Sequence, residues 1–80
     1  MSKLITINPG KNIFKIVPDD GTEVSPKPRH LLFMEDGDVA IEGEDGNSEV
    51  VPVTTGTQIS FSPSKILATD TTITEIFGLL

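Results

Sequence analysis

Closely spaced turn signals constrain the fold of this chain more than any other feature of its sequence. Clusters of Gly, Pro, Asn and Asp interrupt a series of short apolar runs. Gly and Asn tolerate positive φ and Pro presets φ, so each cluster predicts a reversal of the chain. Short apolar runs between such turns are typical of all-β proteins. The clusters are Asn8-Pro9-Gly10, Asp20-Gly21, Asp36-Gly37, Asp45-Gly46-Asn47 and Gly56.

The runs between these turns predict eight short strands. Together they indicate an all-β fold, a small β-sandwich or jelly-roll-like barrel in a single domain. A hairpin is predicted over 30–43, and a further turn over 44–48. The predicted strands are 4–7, 13–17, 30–34, 39–43, 49–53, 57–61, 65–69 and 73–79.

Alternation of apolar and polar residues predicts which side chains face the core. Val39 and Ile41 alternate in one strand, and Ile59 and Phe61 alternate in another, so all four are expected inside. The continuous apolar run 31–34 predicts a strand that is covered on both faces.

Prolines predict surface or edge positions elsewhere in the chain. The polar segment 18–28 contains three prolines and is expected to be a surface connection or an arm. Pro52 and Pro63 lack the N–H group that a sheet ladder needs, so they are expected at strand ends, edges or bulges.

A helix within 63–80 is the competing prediction for the last part of the chain. Ser62-Pro63 fits an N-cap followed by proline at the first helical position. Ile66, Ile73, Phe77 and Leu80 lie near helical spacing. The β-branched residues of 69–74 favour a strand instead, because they have poor helix propensity.

The chain is short, which makes self-association the expected source of additional stability. Its 80 residues predict one domain, with residues 1–17 as an N-terminal arm or first strands and residues 18–80 as the sandwich. A domain of this size buries only about 60% of its unfolded surface or slightly more. The chain has no cysteine to form a disulfide. A homo-oligomer is therefore predicted.

Charge argues against nucleic acid as a partner. The formal net charge is -6, and seven carboxylates lie within 35–49 without a Lys or Arg among them. Binding to nucleic acid requires a cationic surface that displaces counterions. The acidic stretch predicts solvated turns, or alternatively a surface for a basic partner protein.

No residue pattern predicts catalysis, a cofactor or a metal. The chain has no cysteine, one histidine and no nucleophile-elbow serine, so an enzyme is not expected. His30 opens an apolar strand and is expected to be structural. The acidic loops lack the ligand spacing of an EF-hand. No targeting segment or membrane span is predicted, and the expected site of synthesis is the cytoplasm.

The apolar C-terminus predicts an interaction surface. A terminus that carries this much hydrocarbon must pack in its own core or against a partner, because free termini fray. The segment 2–17 is a second candidate, since an extended arm can add a strand to a neighbouring sheet edge. The predicted interface residues are Leu4, Ile5, Ile7, Phe14, Phe77, Leu79 and Leu80.

From about residue 17 onward, four runs resemble a family of small phage proteins. The runs are PKPR leading into HLLFMEDGDVAIEG, then DGNSEVVPV, then TTGTQISF, and last KILATDTTITEIFGLL. They are similar to the head-spike base proteins of gene transfer agents and related tailed phages. The chain departs from that family's pattern at loop positions. These are Lys27-Pro28, the turn 54–57, and Asp70, where the family usually has glycine.

The resemblance implies a virion structural protein on the capsid exterior. It implies an oligomeric base that holds a head spike or fibre, with the major capsid protein and that spike or fibre as partners. A head decoration protein that stabilises the shell, or a tail adaptor, would share the fold class. From a different class, an intracellular binding module for a basic protein remains as an alternative.

Overall fold

The computed structural model describes residues 12–80 as two antiparallel β-sheets packed face to face. This part of the chain contains no helix, so the helix considered for 63–80 is wrong and the predicted all-β sandwich is confirmed. The strands are β1 (Ile13–Lys15), β2 (His30–Phe33), β3 (Gly37–Glu42), β4 (Ser48–Val53), β5 (Thr57–Ile59), β6 (Lys65–Leu67) and β7 (Ile76–Leu79). The predicted strand 4–7 lies outside the described residues.

One sheet has four strands and the other has three. The four-stranded sheet has the order β1-β7-β2-β5, and the three-stranded sheet has the order β4-β3-β6. Hence β4 and β5 are edge strands on one side of the sandwich, and β1 and β6 are edge strands on the other. Pro52 lies in edge strand β4, as the sequence predicted.

The predicted hairpin over 30–43 is wrong, because β2 and β3 belong to opposite sheets. Between them, Met34 N–H donates to the carbonyl of Glu75, which continues the pairing beside β7. Gly37 then enters the second sheet so close to the C-terminal segment that an added Cβ would lie 2.5 Å from Cγ2 of Ile73. The turn Asp36-Gly37 therefore carries the chain between sheets.

The hairpin of the second sheet is formed by β3 and β4. Asp45, Gly46 and Asn47 turn the chain, and Gly43 N–H donates to the carbonyl of Asn47 at 2.9 Å. Gly46 has φ +85°, which glycine adopts without steric cost. The turn predicted over 44–48 is confirmed.

The core lies between the two sheets. Leu31 and Phe33 of β2 contribute to it with no exposed surface, and Leu32 on the opposite face of β2 is also buried. The prediction that this run is covered on both faces is confirmed. The other buried members of the core cluster are Ile16, Val39, Ile41, Val53, Ile66, Ile73 and Ile76.

The threonine-rich segment before β7 forms a loop, where the sequence predicted a strand from 73. Its hydroxyls bond to the edge of β3: Thr71 Oγ1 accepts from Ala40 N–H at 2.9 Å, and Thr72 Oγ1 accepts from Asp38 N–H at 3.0 Å. Asp70 has φ +70° in the preceding turn. Side-chain oxygens therefore replace the carbonyls that a paired strand would supply.

Residues 18–28, hereafter the strap, close one side of the sandwich. Asp19 N–H donates to the carbonyl of Ile66 at 2.8 Å, and Val24 N–H donates to that of Ser64 at 2.9 Å. Val24 also packs against the core. The predicted surface connection is thus bound along β6, and it covers the β1/β6 side.

Candidate interaction site

The other side of the sandwich is an open apolar groove between β4 and β5. Its walls are Ile41 and Val51 from the three-stranded sheet, and Ile59 and Phe61 from the other side. Its volume is about 800 Å³. We call it the β4–β5 groove, and Glu44, Asp45 and Glu49 also line it.

The groove stays open because β5 is short. Beyond Ile59 the chain leaves the sheet. Phe61 reaches toward Gly43, which follows β3, and a Cβ added to Gly43 would lie 3.8 Å from the Phe61 ring. Phe61 remains 41% exposed. The alternation had predicted that Phe61 faces the core, and this is wrong because the strand ends before it.

Negative charge surrounds the groove. Asn47 donates its backbone N–H and its side-chain amide to the carboxylate of Asp45, and these bonds lower the pKa of Asp45. Glu44 forms an ion pair with Lys27. Within residues 12–80, neither Asp45 nor Glu49 has a basic partner.

A smaller pocket of about 270 Å³ lies on the opposite side, beneath the strap. Phe14, Ile16, Val24 and Ile66 line it. The strap supplies hydrogen bonds to β6 at this side, whereas β4 and β5 have no such cover within the described part of the chain. The two sides of the sandwich are therefore unlike each other.

The predicted interface residues that the structure describes are Phe14, Phe77, Leu79 and Leu80, and they do not share one surface. Phe77 and Leu79 alternate with the core-facing Ile76, so they lie on the outer face of the four-stranded sheet. Phe77 is half-buried there and Leu79 is fully buried. Phe14 packs against the core over Gly78, and Leu80 is half-buried.

Leu4, Ile5 and Ile7 of the same set lie outside the described residues. Strand β1 lies before the boundary that the sequence predicted between residues 17 and 18. It belongs to the four-stranded sheet, where it pairs with β7 through Ile13↔Leu79 and Lys15↔Phe77.

Acidic side chains outside the groove hold loops together. Glu35 Oε1 accepts from Thr74 N–H at 2.8 Å, and this bond lowers the pKa of Glu35. Asp20 accepts from the hydroxyl of Thr69 at 2.6 Å and from its N–H at 3.0 Å, which lowers the pKa of Asp20. These carboxylates are therefore structural.

His30 has a structural environment as well, since its Nδ1 lies 2.9 Å from the hydroxyl of Ser60. In residues 12–80 no group of three or more His, Cys, Asp or Glu side chains could hold a metal ion. The same residues include no helix that is long and apolar enough to span a bilayer.

Comparison with known proteins finds a similar solved structure. The chain is similar to a chain in a solved structure described as the capsid of a native GTA particle computed with C5 symmetry. The match has a TM-score of 0.83 and 26% sequence identity, and it covers 90% of this chain and 84% of the other. No family model matches the chain. No curated protein matches it either.

This similarity agrees with the relationship to gene transfer agents that the sequence runs indicated. Because it covers most of both chains at a high TM-score, it supports the whole sandwich and not only a shared hairpin. The chain is thus similar, in fold and in sequence, to a chain of a structure described as a GTA particle capsid.

Proposed function

We propose that this protein is a virion structural protein that forms a homo-oligomeric base on the capsid exterior and holds a head spike or fibre. The observation that carries the proposal is the similarity over 90% of the chain to a chain of a GTA capsid structure. Its partners would be the major capsid protein and the spike or fibre protein. The protein would act by burying part of its surface against these partners, and it would catalyse no reaction.

The fold supports such a scaffolding role. Two surfaces of the sandwich are available to partners. One is the β4–β5 groove. The other is the outer face of the four-stranded sheet, where Ile13 is 50% exposed and Phe77 is half-buried. A typical stable interface buries about 800 Å² on each partner, a large share of so small a surface.

The contact residues proposed for this role follow from these surfaces. Phe77 would lie within the sheet-face contact, and the buried Leu79 would lie beside it on the same face. Phe14 and Leu80 would border it. The arm residues Leu4, Ile5 and Ile7 would reach a neighbouring subunit.

Cryo-EM of intact particles with and without this protein tests the proposal. Density at a few defined capsid positions, such as vertices that carry spikes, is the expected result. Density distributed over the whole shell, with greater shell stability, would identify a decoration protein instead, and density on the tail would identify a tail adaptor. Particles without any density for the protein would contradict a virion role and leave the intracellular binding module.

A further inference from the structure

One side of the sandwich is covered by the strap and the other is an open groove, and this difference indicates how copies of the chain contact one another. We infer that the β4–β5 groove receives residues 2–7 of a second copy as an added strand beside β5. This inference rests on the homo-oligomeric part of the proposed function. It does not depend on where the protein lies on a particle.

The acceptor is the edge of β5 that faces β4. Within the described residues, β5 pairs with β2 alone. Thr57 N–H donates to the carbonyl of Thr54, and the carbonyl of Ile59 accepts from Phe61 N–H. An extended segment can bond to the remaining N–H and C=O groups of this edge. The facing edge of β4 is a poorer acceptor because Pro52 has no N–H. A segment added beside β5 would place alternate side chains between Ile59 and Val51.

The segment 2–7 has the pattern that this groove requires. Its sequence is SKLITI, so Ile5 and Ile7 point to the same face of an extended strand. Two branched apolar side chains match the aliphatic and aromatic walls of the groove. Asn8-Pro9-Gly10 follows as a predicted turn, which would separate the added strand from β1.

Charge favours the same pairing. Residues 1–18 include Lys3, Lys11 and Lys15 and no carboxylate. The groove carries Asp45 and Glu49, for which residues 12–80 provide no basic partner. Opposite charges on two partners raise the rate of encounter and fix their orientation.

The positions of donor and acceptor favour a second copy over the chain's own groove. The segment 2–7 precedes β1, which lies at the opposite edge of the four-stranded sheet from β5. Three strand spacings, about 14 Å, separate these edges. Two copies placed edge to edge bring the β1 side of one against the groove of the next. An intrachain contact would instead need residues 8–12, whose full extension is about 17 Å, to cross the sheet without the turn predicted at Asn8-Pro9-Gly10.

Such a contact is heterologous, because each copy donates at one side and accepts at the other. Repetition of a heterologous contact gives a ring when the rotation closes. Within residues 12–80, the strap bonds along β6 and reaches the rim of the groove through the Lys27–Glu44 ion pair, while the edges of β4 and β5 stay open.

Site-specific cross-linking of the full chain tests the inference. The chain has no native cysteine, so a thiol-specific reagent reacts only at the introduced cysteines. The double variant Thr6→Cys/Ser62→Cys places one thiol in the segment and one at the groove, and it retains Ile5 and Ile7. A short bis-maleimide should convert it to covalent dimers and higher species on denaturing gels. The matched control Thr6→Cys/Ala68→Cys has its second thiol at the exposed Ala68 after β6, and it should stay monomeric.

Each result has a defined meaning when sedimentation of the uncross-linked variant accompanies the gel. Intermolecular cross-links in the groove variant, several-fold above the control, support the inference. Exclusively intrachain cross-links would show that the segment occupies its own groove and would overturn it. An oligomer without segment–groove cross-links also overturns it while the homo-oligomer stands. A monomer in solution contradicts both.

Discussion

Carboxylates paired with threonines are the recurring residue-scale device of this protein. Asp20, in the strap, accepts a hydrogen bond from Thr69, and Glu35 accepts one from Thr74, which lies just before β7. Asp36 likewise accepts from Thr55 N–H at 2.7 Å. Each bond joins segments distant in sequence, so part of the charge that makes the chain acidic anchors its loops.

Glu35 should make stability depend on pH. Its pKa is below the ordinary value of 4.5 in the folded protein, because Thr74 N–H donates to the carboxylate. Its stabilising contribution is therefore complete above pH 4.5 and is lost as pH falls through the lower folded-state pKa. Glu35→Gln should lower the urea midpoint at pH 7 and have a smaller effect at pH 3.

The exposed strap residue Glu23 provides the control for this measurement. Glu23→Gln should leave the urea midpoint nearly unchanged at both pH values. If Glu35→Gln lowered the urea midpoint equally at pH 7 and pH 3, the charge of Glu35 would not contribute to stability.

Asp70 occupies a backbone conformation that favours glycine. Its φ of +70° lies in the left-handed region, at the position where the resemblance leads one to expect glycine. Asp70→Gly should stabilise the protein by up to about 1 kcal/mol, and Asp70→Val should destabilise it by about 1–3 kcal/mol. Thermal unfolding would resolve this, since 1 kcal/mol shifts Tm by about 4–8 °C in a small domain. A higher Tm for the valine variant would refute the assignment.

At the scale of elements, the edge strand β1 is held to β7 by an aromatic residue over a glycine. Phe14 is the register partner of Gly78, and a Cβ added to Gly78 would lie 2.5 Å from Cζ of Phe14. The ring therefore occupies the volume that a side chain would need.

Gly78→Ala should destabilise the protein by about 1–3 kcal/mol, because the added methyl displaces Phe14 and overpacks the pair. Chemical denaturation measures the loss. Phe14→Leu in the same chain should recover part of it, since the two sites are in contact. Gly21→Ala is the control, because its nearest atom would lie at 3.7 Å. Equal effects at both glycines would argue against the close packing.

At the scale of the whole molecule, one open side decides how the sandwich can assemble. If the β4–β5 groove is the contact between copies, the exposed side chain of Phe61 becomes buried on association. Fully burying such a side chain contributes about 1.5–3 kcal/mol.

Phe61→Ser should therefore weaken self-association about three- to eightfold, because burying the remaining 41% of the side chain contributes about 0.6–1.2 kcal/mol and 1.4 kcal/mol corresponds to a factor of ten. It should also lower monomer stability by about 1–2 kcal/mol, because more than half of the Phe61 side chain is already buried in the monomer. Sedimentation over a concentration series gives the association constant. Val50→Ser is the matched control, because Val50 is 48% exposed on the opposite face of β4. The groove would be excluded as the contact if Val50→Ser weakened association as much.

The sequence by itself determined the class of fold and the approximate place of nearly every described strand. Those features depend on local chemistry: turn residues reverse the chain, and alternation or continuity of apolar residues marks strands such as β2 and β3. The sequence also located the apolar C-terminal strand and predicted an edge position for Pro52, where its missing N–H costs no hydrogen bond to a neighbouring strand.

Only the tertiary structure decided which strands share a sheet. The turn Asp36-Gly37 has the residues of a hairpin turn, yet β3 pairs with β4 and β6, because the C-terminal strand takes the position beside β2. The loop 68–75 likewise owes its form to bonds with β3 and Glu35, which its β-branched residues could not reveal. The groove was hidden for the same reason: whether Phe61 is inside depends on where β5 ends and what packs beside it.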